Sequence, residues 1–169
     1  YLMRNELEEL VKFNCEKKID ELVKDLFVFS CFTGLSYSDM KGLRNSNLQD
    51  FFDGNQWIIV RRKKTATSSN VMLLDIPKMI IEKYAGLSKD GKVFPVPSNT
   101  VCNDCLKRIS QQIDCLKEKK VTFHLARHTF ATLFLSEGVP LESLSKMLGH
   151  KNIATTQIYA KILNEKVGK

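Results

Sequence analysis

The chain has 169 residues, 43% hydrophobic and 27% charged, which fits one globular domain and excludes a low-complexity or fibrous chain. Its longest apolar runs, such as Leu26 to Phe29, are too short to cross a bilayer, so no membrane partner is expected. A net charge of +7, from 26 basic and 19 acidic residues, suits an anionic partner such as nucleic acid.

No charged leader followed by an apolar segment opens the sequence, and the five cysteines are an odd count set in apolar or helical patterns. Both features fit a cytoplasmic protein with reduced, buried thiols. In chain order, Asn5 with Glu8 reads as a capping box opening a first helix whose apolar face holds Leu7, Leu10 and Val11. A second helix runs from Ile19 to Thr33, with Leu22, Leu26, Phe29 and Cys31 inward, and Gly34 stops it. Ser36 and Asp39 form another capping box, opening a short helix to Leu43.

Asp53-Gly54-Asn55 marks a turn, and Trp57 to Arg62 reads as a strand. Thr65 to Asn70 is polar and reads as a loop, with a second strand over Val71 to Ile76. Pro77 suits the first turn of a helix through Tyr84. Ser98 caps a helix from Asn99 to about Leu116, with Val101, Cys105, Leu106, Ile109 and Ile113 on one side. Thr122 caps the next, which ends at Gly138; Pro140 starts a short helix that Gly149 ends, and Ile153 to Glu165 forms the last. The fold class is mainly α with a small antiparallel β-sheet, residues 1–169 forming one domain.

Chemistry concentrates in the last third. His124 and Arg127 lie three residues apart, on one face of a helix, near its start. A guanidinium grips two phosphate oxygens at once, which an ammonium does not, and an imidazole can donate to a third. His150 follows a glycine stop in L-G-H, and Tyr159 closes T-x-x-Y. Singly, these read as a surface arginine beside a capping histidine, a loop histidine and a packing tyrosine. The joint pattern H-x-x-R-H-T, L-G-H, T-x-x-Y does not reduce to those readings.

That pattern resembles the tyrosine recombinase, or phage integrase, family through its catalytic domain. Earlier marks match too: Thr33-Gly34-Leu35 with Asp39 resembles the family's first box, and Lys64 lies where the family keeps a hairpin lysine. The resemblance implies that Tyr159 attacks a DNA phosphate, forming a 3′-phosphotyrosyl link and freeing a 5′-hydroxyl. Arg127, His150 and His124 would stabilise the charge on the phosphate oxygens. His124 is the preferred proton acceptor for the phenol, and the same cations favour the phenolate as it attacks. Lys64 would protonate the leaving oxygen, with Lys63 left open by register. Arg61, Arg62, Lys63 and Lys64 also suit contacts along DNA phosphates.

One position departs from the family. Its first box normally carries an arginine where this chain has Ser36. Ser36 is read here as the cap of the short helix rather than as a direct catalyst. A branch of the family found on conjugative or integrative elements shows the same T-G-L-S-Y box. Strand alternation puts Arg62 on the face of Lys64 and Arg61 on the other, so Arg62 is the first candidate for the missing clamp and Arg44 the second.

Cys102-x-x-Cys105 lacks a second pair and reads as buried packing. His124 and His128 have metal-ligand spacing without the glutamate of H-E-x-x-H, so no metal is expected and His128 reads as structural. Pro140 to Gly149 looks somewhat like a helix-turn-helix, which supports the main alternative of a basic DNA-binding module that does not cut. A type IB topoisomerase is a further alternative, opposed by the T-G-L box and short length. The resemblance implies double-stranded DNA as partner, no cofactor, and an N-terminal DNA-clamping domain absent from these residues. It further implies a homo-tetramer on DNA for the full-length protein, while this domain alone can be a monomer.

Overall fold

A computed structural model of the protein describes residues 1–52, 54–61 and 68–148. Helix α1 spans Arg4–Lys12, α2 Lys18–Thr33 and α3 Tyr37–Lys41. Strands β1 (Leu48–Asp50), β2 (Gln56–Arg61) and β3 (Ser68–Met72) follow. Helices α4 (Asp75–Lys83), α5 (Asn99–Gln112), α6 (Phe123–Ser136) and α7 (Leu141–Leu148) complete the described chain.

Helix α2 is the axis of the core. Val23, Leu26, Phe27, Val28, Phe29 and Cys31 are all buried, which requires neighbours on every side of the helix. Helices α1, α4, α5 and α6 supply them. Phe29 meets Phe94 edge to face with ring centres 4.9 Å apart, and Phe27 lies 6.3 Å from Phe123 at the start of α6.

The T-G-L segment ends α2 by an explicit mechanism. Gly34 adopts φ 74°, the left-handed conformation that favours glycine, and its N–H donates to Ser30 O at 2.8 Å. Thr33 Oγ1 donates to Phe29 O at 2.8 Å and accepts from Leu35 N at 3.3 Å, while Ser30 Oγ donates to Leu35 O at 2.6 Å. The buried chain reversal therefore leaves its polar groups satisfied.

The sheet is an antiparallel meander in the order β1-β2-β3. Trp57 pairs with Met72 and Arg61 with Ser68, which fixes the register. Ile58 and Val60 of β2, with Ser69 and Val71 of β3, are buried on one face. Helix α7 packs on β3, and Ser69 Oγ donates to Met147 O across that contact. The same helix folds back on α6 through a small cluster of Phe130, Ala131 and Leu144.

Several sequence expectations need correction. The first helix starts at Arg4, and Glu6 Oε1 rather than Glu8 reaches back, accepting from Met3 N at 2.8 Å. Strand β1 was not anticipated, and β3 begins at Ser68, inside the segment expected to be loop. Helix α4 begins at Asp75, two residues before Pro77, and α5 stops at Gln112, with a 3-10 turn over Asp114–Leu116 beyond it. Val101 is exposed rather than inward. Of the cysteines, Cys31, Cys102 and Cys105 are buried, but Cys15 is half-buried and Cys115 exposed. No helix among the described residues is long and apolar enough to cross a membrane.

Candidate active site

Helix α6 carries the described half of the site. Thr122 opens it, its Oγ1 accepting from Leu125 N at 3.3 Å. Phe123 anchors the first turn: its ring is buried against Phe27 and lies 5.8 Å from Tyr37. With Phe123 turned inward, His124 is exposed and Arg127 half-buried on the outer part of the same helix end. The helix dipole makes that end favourable for an anion, and the Arg127 guanidinium adds to it.

The first box is seated beside this turn. Tyr37 packs on Phe123 and donates its hydroxyl to Pro97 O at 2.7 Å. Ser36, immediately before it, is the cap of α3: its Oγ accepts from Asp39 N at 3.2 Å, and Asp39 Oδ2 accepts from Ser36 N at 3.4 Å. The hydroxyl expected to cap the helix does so. Tyr37 was not singled out from the sequence, although an aromatic directly after the Ser36 cap was a signal for a packing anchor.

Strand β2 ends at Arg61, which pairs with Ser68 of β3. Arg61 is exposed, on the face opposite Ile58 and Val60. Arg44 is also exposed, and its guanidinium donates to Asp90 O at 2.7 Å, a contact that holds it at the loop before Lys92. Arg62, Lys63, Lys64, His150 and Tyr159 lie outside the described residues. Their assigned roles therefore rest on sequence and family.

His128 was read as structural, and its contact is specific. Its half-buried ring meets that of His124 edge to face, centres 4.2 Å apart. Burial first, then His124 and Arg127, push its pKa down to about 4. Cys102 and Cys105 lie in the α5 core contact, where burial pushes both thiols up to about 11. An apolar recess of about 280 Å³, lined by Leu7, Val11, Phe32, Ile76 and Leu133 among others, holds none of the candidate residues.

The model of the phage integrase family matches residues 1–166. Tyrosine recombinase XerA of Saccharolobus solfataricus is 31% identical over 150 residues, covering 88% of this chain and 48% of that protein. A tyrosine recombinase of Pseudothermotoga lettingae is 26% identical over 172 residues, covering 98% of this chain and 57% of the relative. The chain thus spans about half the length of these curated relatives.

Among solved structures, XerH site-specific recombinase in a post-cleavage complex with palindromic difH substrate matches with TM-score 0.78 at 20% identity. That match covers 99% of this chain and 51% of XerH. The catalytic domain of bacteriophage HP1 integrase matches with TM-score 0.65 at 20% identity, over 99% of this chain and 90% of that one. This chain therefore belongs to the phage integrase family of tyrosine recombinases and carries the fold of their catalytic domain.

Proposed function

We propose that the protein is a site-specific DNA recombinase, the integrase of a mobile element, which cuts and rejoins strands through a 3′-phosphotyrosyl link to Tyr159. The observation that carries this reading is the start of α6, where Thr122 and Phe123 hold an exposed His124 and a half-buried Arg127 at one helix end. Arg127 clamps two non-bridging oxygens of the phosphate, and His124 and His150 donate beside it. These contacts strengthen as charge builds in the transition state. Phenols have an ordinary pKa of about 10, so the attack needs the proton removed; His124 accepts it.

Attack at phosphorus forms the bond to the Tyr159 oxygen and breaks the bond to the 5′ oxygen. That oxygen leaves with a proton from Lys64. Rejoining runs the same steps backwards with another strand, so no metal and no high-energy cofactor are needed. Ser36 gives no charge to this scheme because a hydroxyl carries none, and its oxygen caps the helix by accepting from Asp39 N. Arg62 takes the place of the missing arginine, supported by alternation along the sequence, in which Arg62 shares the parity of Lys64 and Arg61 does not.

Double-stranded DNA is the partner. XerH, a structural relative, is described bound to its difH substrate before and after cleavage. The relatives' greater length supports an N-terminal DNA-clamping domain preceding these residues. The full protein would act in the cytoplasm as a homo-tetramer on two duplexes, as the family resemblance implies. A nicked suicide duplex tests the reading: the protein should form a covalent complex stable on a denaturing gel. Binding without that complex would leave a DNA-positioning module instead.

A further inference from the structure

His124 and His128 stand one turn apart on α6, and their rings meet with planes at 88° and centres 4.2 Å apart. Side chains four residues apart share a helix face, and edge-to-face is a preferred aromatic geometry. The two rings differ in how firmly the fold holds them. His124 is exposed, in the first turn, where packing does little to select among staggered rotamers.

His128 is half-buried in a fixed stretch of helix. Its carbonyl accepts from Thr132 Oγ1 at 2.8 Å. The next residue, Thr129, accepts from Leu2 N at 3.0 Å and donates to Leu125 O at 2.8 Å. Phe130 beyond it is fully buried.

We propose that His128 is a positioning residue whose ring holds the imidazole of His124 in the orientation from which it serves the phosphate and the attacking phenol. The inference rests on the recombinase reading for what His124 does, but the contact itself does not. A neutral ring suits this work, because a charged one would repel Arg127 and disfavour the proton that His124 takes from the phenol; burial foremost keeps His128 neutral near pH 7. A metal shared by the pair is a poor alternative. Bonds of about 2.0–2.1 Å to each ring would hold the ring centres farther apart than they stand.

The sequence has three histidines, so their imidazole carbon–proton signals can be assigned by NMR. His128→Leu keeps bulk without a ring, and His128→Phe restores the ring. In the leucine variant, the ring-current shift on His124 should vanish, and single-turnover cleavage of a nicked suicide duplex should fall about tenfold, or about 1.4 kcal/mol of barrier. DNA affinity and melting temperature should match those of the phenylalanine variant, which should keep both the shift and the cleavage rate. Unmoved His124 signals in His128→Leu overturn the proposal, and so does equal loss of cleavage in the two variants. If the wild-type protein forms no covalent complex while the His124 shift still needs a ring at position 128, the recombinase reading fails and the positioning contact stands.

Discussion

The Tyr37 ring lies against Phe123 with centres 5.8 Å apart, joining the T-G-L-S-Y segment to the turn that presents His124. The contact is structural, yet it sets where the reactive helix end sits relative to α3. Phe123 is buried, so Phe123→Ala should destabilise the domain by about 3–5 kcal/mol. Tyr37→Phe removes only the bond to Pro97 O and should cost about 1 kcal/mol. Denaturant melts of both variants check the difference; equal losses would contradict it.

The vacancy in the first box separates two serine and arginine predictions. Ser36→Ala removes a helix cap and should cost about 1 kcal/mol of stability, with cleavage little changed. Arg62→Ala should abolish cleavage as severely as Arg127→Ala, whereas Arg61→Ala should weaken DNA binding without abolishing cleavage. Rates on a suicide duplex measure this directly. Similar rates for Arg61→Ala and Arg62→Ala would remove Arg62 from the clamp.

His128 gives stability a pH dependence. Its pKa in the folded protein is about 4, below the ordinary 6.5, because burial disfavours the charged ring and His124 and Arg127 face it. A depressed folded value means that the unfolded chain takes up the proton first as pH falls. The contribution is therefore complete above pH 6.5 and is lost progressively down to about 4. His128→Phe should flatten the decline in melting temperature over that window. Parallel declines in the two proteins would show that His128 is not its source.

A second buried cluster ties α2 to α4. Asp25 Oδ2 accepts from Tyr84 Oη at 2.6 Å and from Lys83 Nζ at 2.8 Å. Burial, then the Asp25 bond and charge, push the Tyr84 phenol well above its usual range, so it stays protonated and donating. Asp25→Ala leaves that hydroxyl without this acceptor and should cost about 1–3 kcal/mol, measured by chemical denaturation.

The sequence made the helices legible because caps and period are local signals. Ser36, Ser98 and Thr122 each cap the helix expected of them, and Gly34 ends α2 as its position suggests. The sheet was harder to read. Leu48–Asp50 is too short and polar to declare itself, and Ser68 to Asn70 looks like loop until its partners on β2 are known. Ser69 in particular is a buried polar residue whose hydroxyl is satisfied by Met147, far away in sequence. Val101 fits the apolar period of α5, but Cys102 takes the inward place beside Cys105, Leu106 and Ile109. Of the proposed site, the pattern of residue types was visible at once. The brace of His124 by His128 was not, because spacing alone does not distinguish ring packing from metal ligation.

The most direct measurement is the identity of the residue that becomes joined to DNA. Full-length protein is trapped on a nicked suicide duplex, digested, and the DNA-linked peptide sequenced by mass spectrometry. The account predicts a single linkage, at Tyr159, that disappears in Tyr159→Phe while DNA binding persists. A linkage at any other residue, or an undiminished one in Tyr159→Phe, would contradict it.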